Sequence, residues 1–355
     1  MAWGGNGGPA SGQEVLKLFE VKLKVPLGLN EADLVIPADN PLTPAKVALG
    51  RQLYFDTRLS ANGTVACATC HSPRFGFTDG QPVSTGIKGQ KGGRSAPSTI
   101  NRAFSTLQFW DGRAASLEEQ AKGPMVNPIE MGNPSHAAVV ERLKQIVGYR
   151  EAFQRVFGTG DFTIEHVAKA IAAYERTNLS GNAPLDRFRA GDNTALSEAA
   201  QRGLALFEGK ARCVRCHTPG TFTDEQFHNL GVGMVKPQPD LGRYDITKQE
   251  QAKGAFKTPT LRDSALTAPY FHDGSAQTLE EVVEYYNKGG IQNPYLSPEP
   301  IPLQGDGAPE PHGAGESRSR GVLTVPDRGH CVCGLRPRAA TVGDYRKRGP
   351  HPALV

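Results

Sequence analysis

Two copies of Cys-x-x-Cys-His constrain this chain more than anything else in it: Cys67-Ala68-Thr69-Cys70-His71 and Cys213-Val214-Arg215-Cys216-His217. Two thiols at that spacing add across the vinyl groups of one haem, and the adjacent His then falls under the iron as an axial ligand. A single copy also suits a thioredoxin-like redox pair or half of a zinc site. Here each copy leads on to Pro and then to Phe-Thr-Asp, at Phe77-Thr78-Asp79 and Phe222-Thr223-Asp224. A zinc centre made from the four thiols leaves both His residues without a role. The motifs read as sites for two covalently bound haem c groups, with His71 and His217 as iron ligands.

Length and charge bound the rest. At 355 residues the chain has room for two domains, each with its own core. The formal charge is +4, and most of it lies in the Arg-rich stretch from Gln304 onward, so no broad basic surface for nucleic acid is expected. No run of eighteen apolar residues occurs, so no membrane span is expected. Cys331 and Cys333 are left over; a disulfide across one residue is strained, and two unpaired thiols are the simpler reading. Haem attachment outside the cytoplasm points to the periplasm. The start, Met1-Ala2-Trp3-Gly4-Gly5, has neither a basic nor an apolar leader region, so the leader has been replaced or the start misplaced.

The two halves repeat. Leu49-Gly50-Arg51-Gln52-Leu53-Tyr54-Phe55 precedes the first motif, and Gln201-Arg202-Gly203-Leu204-Ala205-Leu206-Phe207 precedes the second. Further on, Phe109-Trp110-Asp111-Gly112-Arg113 matches Phe271-His272-Asp273-Gly274-Ser275. In each, Asp-Gly marks a turn, and Ser116 or Thr278 then stands at a helix N-cap with acids in the first turn. Apolar spacing predicts further helices over 137–146 and 164–174. Long Gly- and Pro-containing loops, such as 86–97 and 232–244, connect them. The expected fold is mostly α, with two cytochrome-c-like haem domains in tandem and long irregular loops. Residues 1–40 form an N-terminal extension, 41–185 the first haem domain and 186–303 the second, with a break at Ser180-Gly181-Asn182-Ala183-Pro184. Residues 304–355 lose all periodicity and read as a disordered tail or a frameshifted stretch of gene.

The repeat also shows where the two haems differ. Seven residues after Leu117 stands Pro124; seven after Leu279 stands Tyr286. If that position lies over the haem, Pro offers no donor atom and leaves an open iron face, whereas Tyr can ligate through its phenolate oxygen. The alternative is that Tyr286 is a core aromatic beside Tyr285. An open haem that splits a peroxide bond needs a proton carrier, and Glu130, six residues past Pro124, suits that task. Equally, Glu130 reads as a solvated loop acid. Gln120, one helical turn before Pro124, can hydrogen-bond bound peroxide or water. Trp110, at the pre-helix position, can relay electrons between haems or simply pack.

Together these residues resemble the bacterial di-haem cytochrome c peroxidase family, including its methylamine-utilisation (MauG) branch. The likeness runs from about Pro41 to Pro300 through both haem motifs, Phe-Trp-Asp-Gly-Arg, Glu-Gln-Ala-Lys-Gly-Pro and Leu-Thr-Ala-Pro-Tyr-Phe-His-Asp-Gly. It implies that the first haem is peroxidatic and the second transfers electrons. Glu130 then serves the peroxide, Gln120 and Pro124 line its pocket, and Trp110 lies between the haems. It also implies one Ca2+ between the domains, held partly by the carbonyls of Thr267 and Pro269. Many family members have Met where Tyr286 stands; the methylamine-utilisation branch has Tyr, and Met125, Met131 and Met234 are out of register to replace it. Many also place a His in the loop that here reads Ser84-Thr85-Gly86-Ile87-Lys88-Gly89-Gln90, so the first haem is expected to be open when oxidised. Ser95 replaces a frequent Ca2+-binding Asn and weakens that contact. The family's closing helix has no counterpart after Leu303.

The expected activity is peroxide reduction to water with electrons from a small cytochrome c or a cupredoxin. The rival within the family is a MauG-like oxidase that modifies residues of a partner protein. The reading outside it, a non-enzymatic electron carrier, requires two closed haems and conflicts with Pro124. A homodimer is compatible with the resemblance.

Overall fold

The structure, a computed structural model, describes residues 21–298. Expectations for the first twenty residues, for Cys331 and Cys333, and for the 304–355 tail lie outside the described residues. Within them the chain is mostly helical, as expected. Its helices are α1 (Pro44–Tyr54), α2 (Cys67–Cys70), α3 (Leu117–Val126), α4 (His136–Lys144) and α5 (Val147–Phe157). They continue with α6 (Ile164–Glu175), α7 (Pro184–Arg189), α8 (Glu198–Glu208), α9 (Arg243–Thr247) and α10 (Leu279–Asn287). The sheet among these residues is one antiparallel pair, β1 (Phe227–His228) on β2 (Phe256–Lys257).

Helix starts follow local chemistry. Ser116 and Thr278 accept from the backbone N–H groups of Glu119 and Glu281 at 3.1 and 3.2 Å, which starts α3 and α10 where the repeat requires. Helix α5 was not foreseen in the sequence, although Tyr149 and Phe153, four residues apart, are both fully buried. Helix α6 ends at Glu175, ahead of the break expected over 180–184, and α7 starts at the last of those residues; its Asp186 accepts two bonds from Arg262, at 2.8 and 2.9 Å.

Helix α6 is the axis of the first core. Val167, Ala168, Ala170, Ile171, Ala172 and Ala173 are fully buried, and α6 packs against α1 and α3. The small residues let α1 come close: a Cβ added at Gly50 would lie 1.8 Å from the Ala170 carbonyl oxygen. Leu53, Leu59, Met125, Leu143, Phe153 and Phe162 fill the space around this crossing. Burying side chains of this size stabilises by roughly 1.5–3 kcal/mol each. The core beyond residue 185 is smaller, with Leu196, Ala200 and Leu204 packed against Leu185 and Phe188.

Beside α6, Arg176 is 2 % exposed and bonds both carboxylate oxygens of Glu118, at 2.6 and 3.0 Å. Arg94 joins distant parts of the chain, bonding Asp111 at 2.6 Å and Asp240 at 2.7 and 2.8 Å. Arg243 donates to the carbonyls of Asp111 and Gly112, next to Trp110.

The repeat reappears in the backbone. Phe77 and Phe222 both lie in the left-handed region, at φ 61° and 55°, as do Phe109 and Phe271, at 69° and 67°. A bulky residue rarely accepts that conformation. Matching bridges close the turns that follow, Gln108 with Ala114 and Tyr270 with Ala276.

Candidate haem and peroxide site

Both Cys-x-x-Cys-His motifs open onto one cavity of about 770 Å³, in the upper part of the range usual for small-molecule and cofactor sites. Cys70 and His71 line it on one side of the repeat, Cys213, Cys216 and His217 on the other. Cys67 packs against the first core instead. All four thiols are free.

Each His is prepared as a ligand by a turn within its own loop. The left-handed Phe77 aims its carbonyl at His71 Nδ1, 3.2 Å away, and Phe222 does the same for His217 Nδ1 at 2.9 Å. A carbonyl only accepts, so Nδ1 carries the proton and Nε2 keeps its lone pair. Burial lowers both imidazole pKa values, which favours the neutral, ligating form. Tyr54 secures the first loop by donating to the His71 carbonyl at 2.9 Å. Free thiols paired with neutral imidazoles on one largely apolar cavity fit haem c well.

The repeat position held by Pro124 in one half and Tyr286 in the other faces the cavity in both. Gln120, Pro124 and Glu130 line the cavity together. Pro124 sits in the last turn of α3 and has no donor atom to present. Glu130 follows on a turn: Asn127 Nδ2 donates to its Oε1 at 2.8 Å, and its backbone carbonyl accepts from Ile87 N at 2.8 Å. Burial raises the Glu130 pKa, partly opposed by the charge of Arg113 and the Asn127 bond. The loop expected merely to lack a His is therefore the wall that holds Glu130. Gly86 makes this approach possible, since a Cβ there would lie 2.0 Å from the Ile129 carbonyl oxygen.

Tyr286 lines the same cavity from α10. Its neighbour Tyr285 spends its hydroxyl on the Leu230 carbonyl at 2.8 Å, a structural role. Burial pushes the Tyr286 phenol well up, and the nearby Cys213 and Cys216 add to the rise. Met125 and Met131 lie in the first core, and Met234 packs against Gly254. Trp110 also lines the cavity; its indole Nε1 donates to the Ser95 carbonyl at 3.0 Å, and its ring meets His272 edge-on at 6.5 Å. Ser95, Thr267 and Pro269 share the cavity wall, with Ser95 Oγ donating to the Phe271 carbonyl at 3.0 Å.

Three cavity features escaped the sequence reading. His228 Nε2 lies 2.9 Å from Asp224 Oδ2 and 3.4 Å from Cys216 Sγ, an ion pair at the second motif alone. Its signal was the second Phe-Thr-Asp, with a His four residues past the Asp. Arg102 bonds Gln108 and Glu225 beneath the cavity, and no local pattern announced it. Glu175 lines the cavity although it is 3 % exposed. It lies four residues beyond Ile171 and seven beyond Ala168, on the buried stripe of α6, and an acid in that register was the missed sign.

Comparison with known proteins identifies relatives. A family model described as di-haem cytochrome c peroxidase matches residues 44–194. The methylamine utilization protein MauG of Methylorubrum extorquens is 46% identical over 271 residues, covering 76% of each chain. The cytochrome c551 peroxidase of Nitrosomonas europaea is 39% identical over 263 residues, covering 70% of this chain and 78% of that protein. Among solved structures, a MauG-like protein associated with microbial copper homeostasis superposes with a TM-score of 0.75 at 32% identity, covering 85% of this chain and 94% of the other.

Proposed function

This chain belongs to the di-haem cytochrome c peroxidase family, and from that premise we propose that it reduces hydrogen peroxide to water at a haem attached through Cys67 and Cys70. The family implies two c-type haems, which supply the redox chemistry when bound: one meets peroxide, the other passes electrons. Peroxide takes up two electrons and two protons and leaves as two waters.

The residues divide this work. His71 and His217 would each ligate one haem iron; Tyr286 would be a further ligand of the second haem, while Pro124, with no donor atom, would leave the first open to peroxide. Glu130 moves the proton: with Oε1 engaged by Asn127, Oε2 is the atom that takes a proton from the near peroxide oxygen and returns it to the far one. Burial suits it, because a raised pKa makes the carboxylate a readier proton acceptor. Gln120 orients the peroxide. Trp110 lies on the route between haems, and its indole proton is held by the Ser95 carbonyl.

The supporting observation is that Pro124, Glu130 and Tyr286 line one cavity together with both haem-binding motifs. The test is low-temperature EPR of the ferric protein. One high-spin and one low-spin signal, both lost with stoichiometric peroxide, are expected; two low-spin signals indifferent to peroxide overturn the proposal.

The wider reading includes a domain boundary near residue 185, with the peroxidatic haem before it and the electron-transfer haem after it. It also includes one Ca2+ at Ser95, Thr267 and Pro269, to be checked by metal analysis before and after chelation. It places the protein in the periplasm, with a small cytochrome c or a cupredoxin as electron donor and a homodimer as an assembly to be tested. No helix among the described residues is long and apolar enough to cross a membrane. A second reading is favoured by Tyr286 and by the 46% identity to a methylamine utilization protein: oxidation of residues on a partner protein. Oxidised side chains on a co-purified partner, found by mass spectrometry after peroxide treatment, would select it.

A further inference from the structure

One buried acid in the cavity has no part in this scheme. Glu175, at the C-terminal end of α6, lines the cavity, is 3 % exposed, and its Oε2 has no hydrogen-bond partner. A carboxylate in that position normally finds a cation. The adjacent Arg176 is committed elsewhere, bonding Glu118 twice and the Val35 carbonyl through Nε. Arg102, the other cation within range, is held by Gln108, the Leu107 carbonyl and Glu225. The remaining charged or titratable groups are Glu118 from α3, Tyr54 from α1 and Cys67 from α2. Cys67 feels Glu175 more strongly than it feels Glu130. Tyr54, whose hydroxyl bonds the His71 carbonyl, feels it too.

We propose that Glu175 is a proton-binding site coupled to the electron at the first haem, taking up one proton when that haem is reduced and releasing it on oxidation. The electron comes from the redox protein or chemical reductant that reduces the haem, and the proton comes from solvent, so charge in the cavity is conserved. The carboxyl is poised for this, because burial pushes it up to about 8, close to the working pH. An added electron makes the ionised form still less favourable. The sign follows: above that pKa the oxidised protein carries Glu175 as an anion, so reduction must draw in a proton and becomes harder as pH rises. The second motif has no such carboxyl, since Asp224 is paired with His228. The inference rests on haem attachment at Cys67 and Cys70, which a haemochrome count reads independently.

The experiment is spectroelectrochemical titration of the haem-loaded protein from pH 6 to 10, following the high-spin haem. In the wild type, the reduced-to-oxidised ratio at fixed applied potential is expected to fall with pH, approaching about tenfold per unit at full coupling. In Glu175→Gln it should stay flat, with the low-spin haem behaving alike in both. The same pH dependence in both proteins overturns the proposal. If Glu175→Gln fails to retain haem, the infrared difference between reduced and oxidised wild type decides. A protonated-carboxyl band that grows on reduction and persists in Glu130→Gln supports Glu175. No such band, or one that disappears in Glu130→Gln, refutes it.

Discussion

The two haem-binding halves share their ligand turns and differ in what surrounds them. Both use a left-handed Phe to set the imidazole proton, and both start a helix from a hydroxyl cap over the site. Yet the first half contributes Pro124, the half-buried Glu130 and the buried Glu175 to the cavity, whereas the second presents Tyr286 and an Asp224–His228 pair. The first also has the larger core. The ligand turns are alike in the two halves, and the difference lies in the other side chains that line the cavity.

Several substitutions test this contrast, the largest expected effect first. Glu130→Gln should lower peroxide turnover about 10²–10⁴-fold with haem content intact, as steady-state kinetics and haemochrome spectra would show. Full turnover would remove the proton-moving role that distinguishes the first half. Tyr286→Phe should erase the contrast from the other side, replacing the low-spin ferric EPR signal with a second high-spin one, with a smaller loss of turnover. A surviving low-spin signal would mean that another group closes that haem. Gly50→Ala should destabilise the first core by about 1–3 kcal/mol in urea unfolding, because the α1–α6 crossing leaves no room for a methyl group. Gly148→Ala, whose added Cβ meets nothing within 4 Å, is the control.

The smallest effect concerns pH. The His228 imidazole holds the Asp224 carboxyl down at about 2 against strong desolvation, while His228 rises to about 10 through Asp224 first and Cys216 second. The rise exceeds the fall because the Cys216 thiol adds to it, and thioether formation removes that share, so the acid limb is the one to follow. A lowered carboxylate contributes stability that is complete above its ordinary pKa near 3.8 and is lost as pH falls toward 2. Asp224→Asn should therefore lower stability at pH 5 by about 0.5–1 kcal/mol, the modest size expected of a partly exposed pair, with the difference vanishing as pH falls toward 2 and the acid limb flattened.

Features that repeat or follow local rules were legible in the sequence. The haem motifs, the Ser116 and Thr278 caps and the Pro124/Tyr286 contrast all lie within a few residues of the signal that announces them. The loop 84–90 was recognised for its missing His, but its packing on Glu130 joins segments some forty residues apart and no local pattern encodes it. Helix α5 was missed although Tyr149, Ala152, Phe153, Val156 and Phe157 stand at helical spacing and pack in or on the first core. Glu175 was missed because an acid on a buried stripe looks like an interruption until the cavity beside it is seen.

The Phe77 and Phe222 turns have one more consequence. The contact from carbonyl to imidazole spans six residues in one loop and five in the other, so it requires no distant part of the chain to be in place. Attachment of a prosthetic group is thereby separated from completion of the fold: each segment can offer its sulfur atoms and a correctly tautomerised nitrogen together, before the other half has folded.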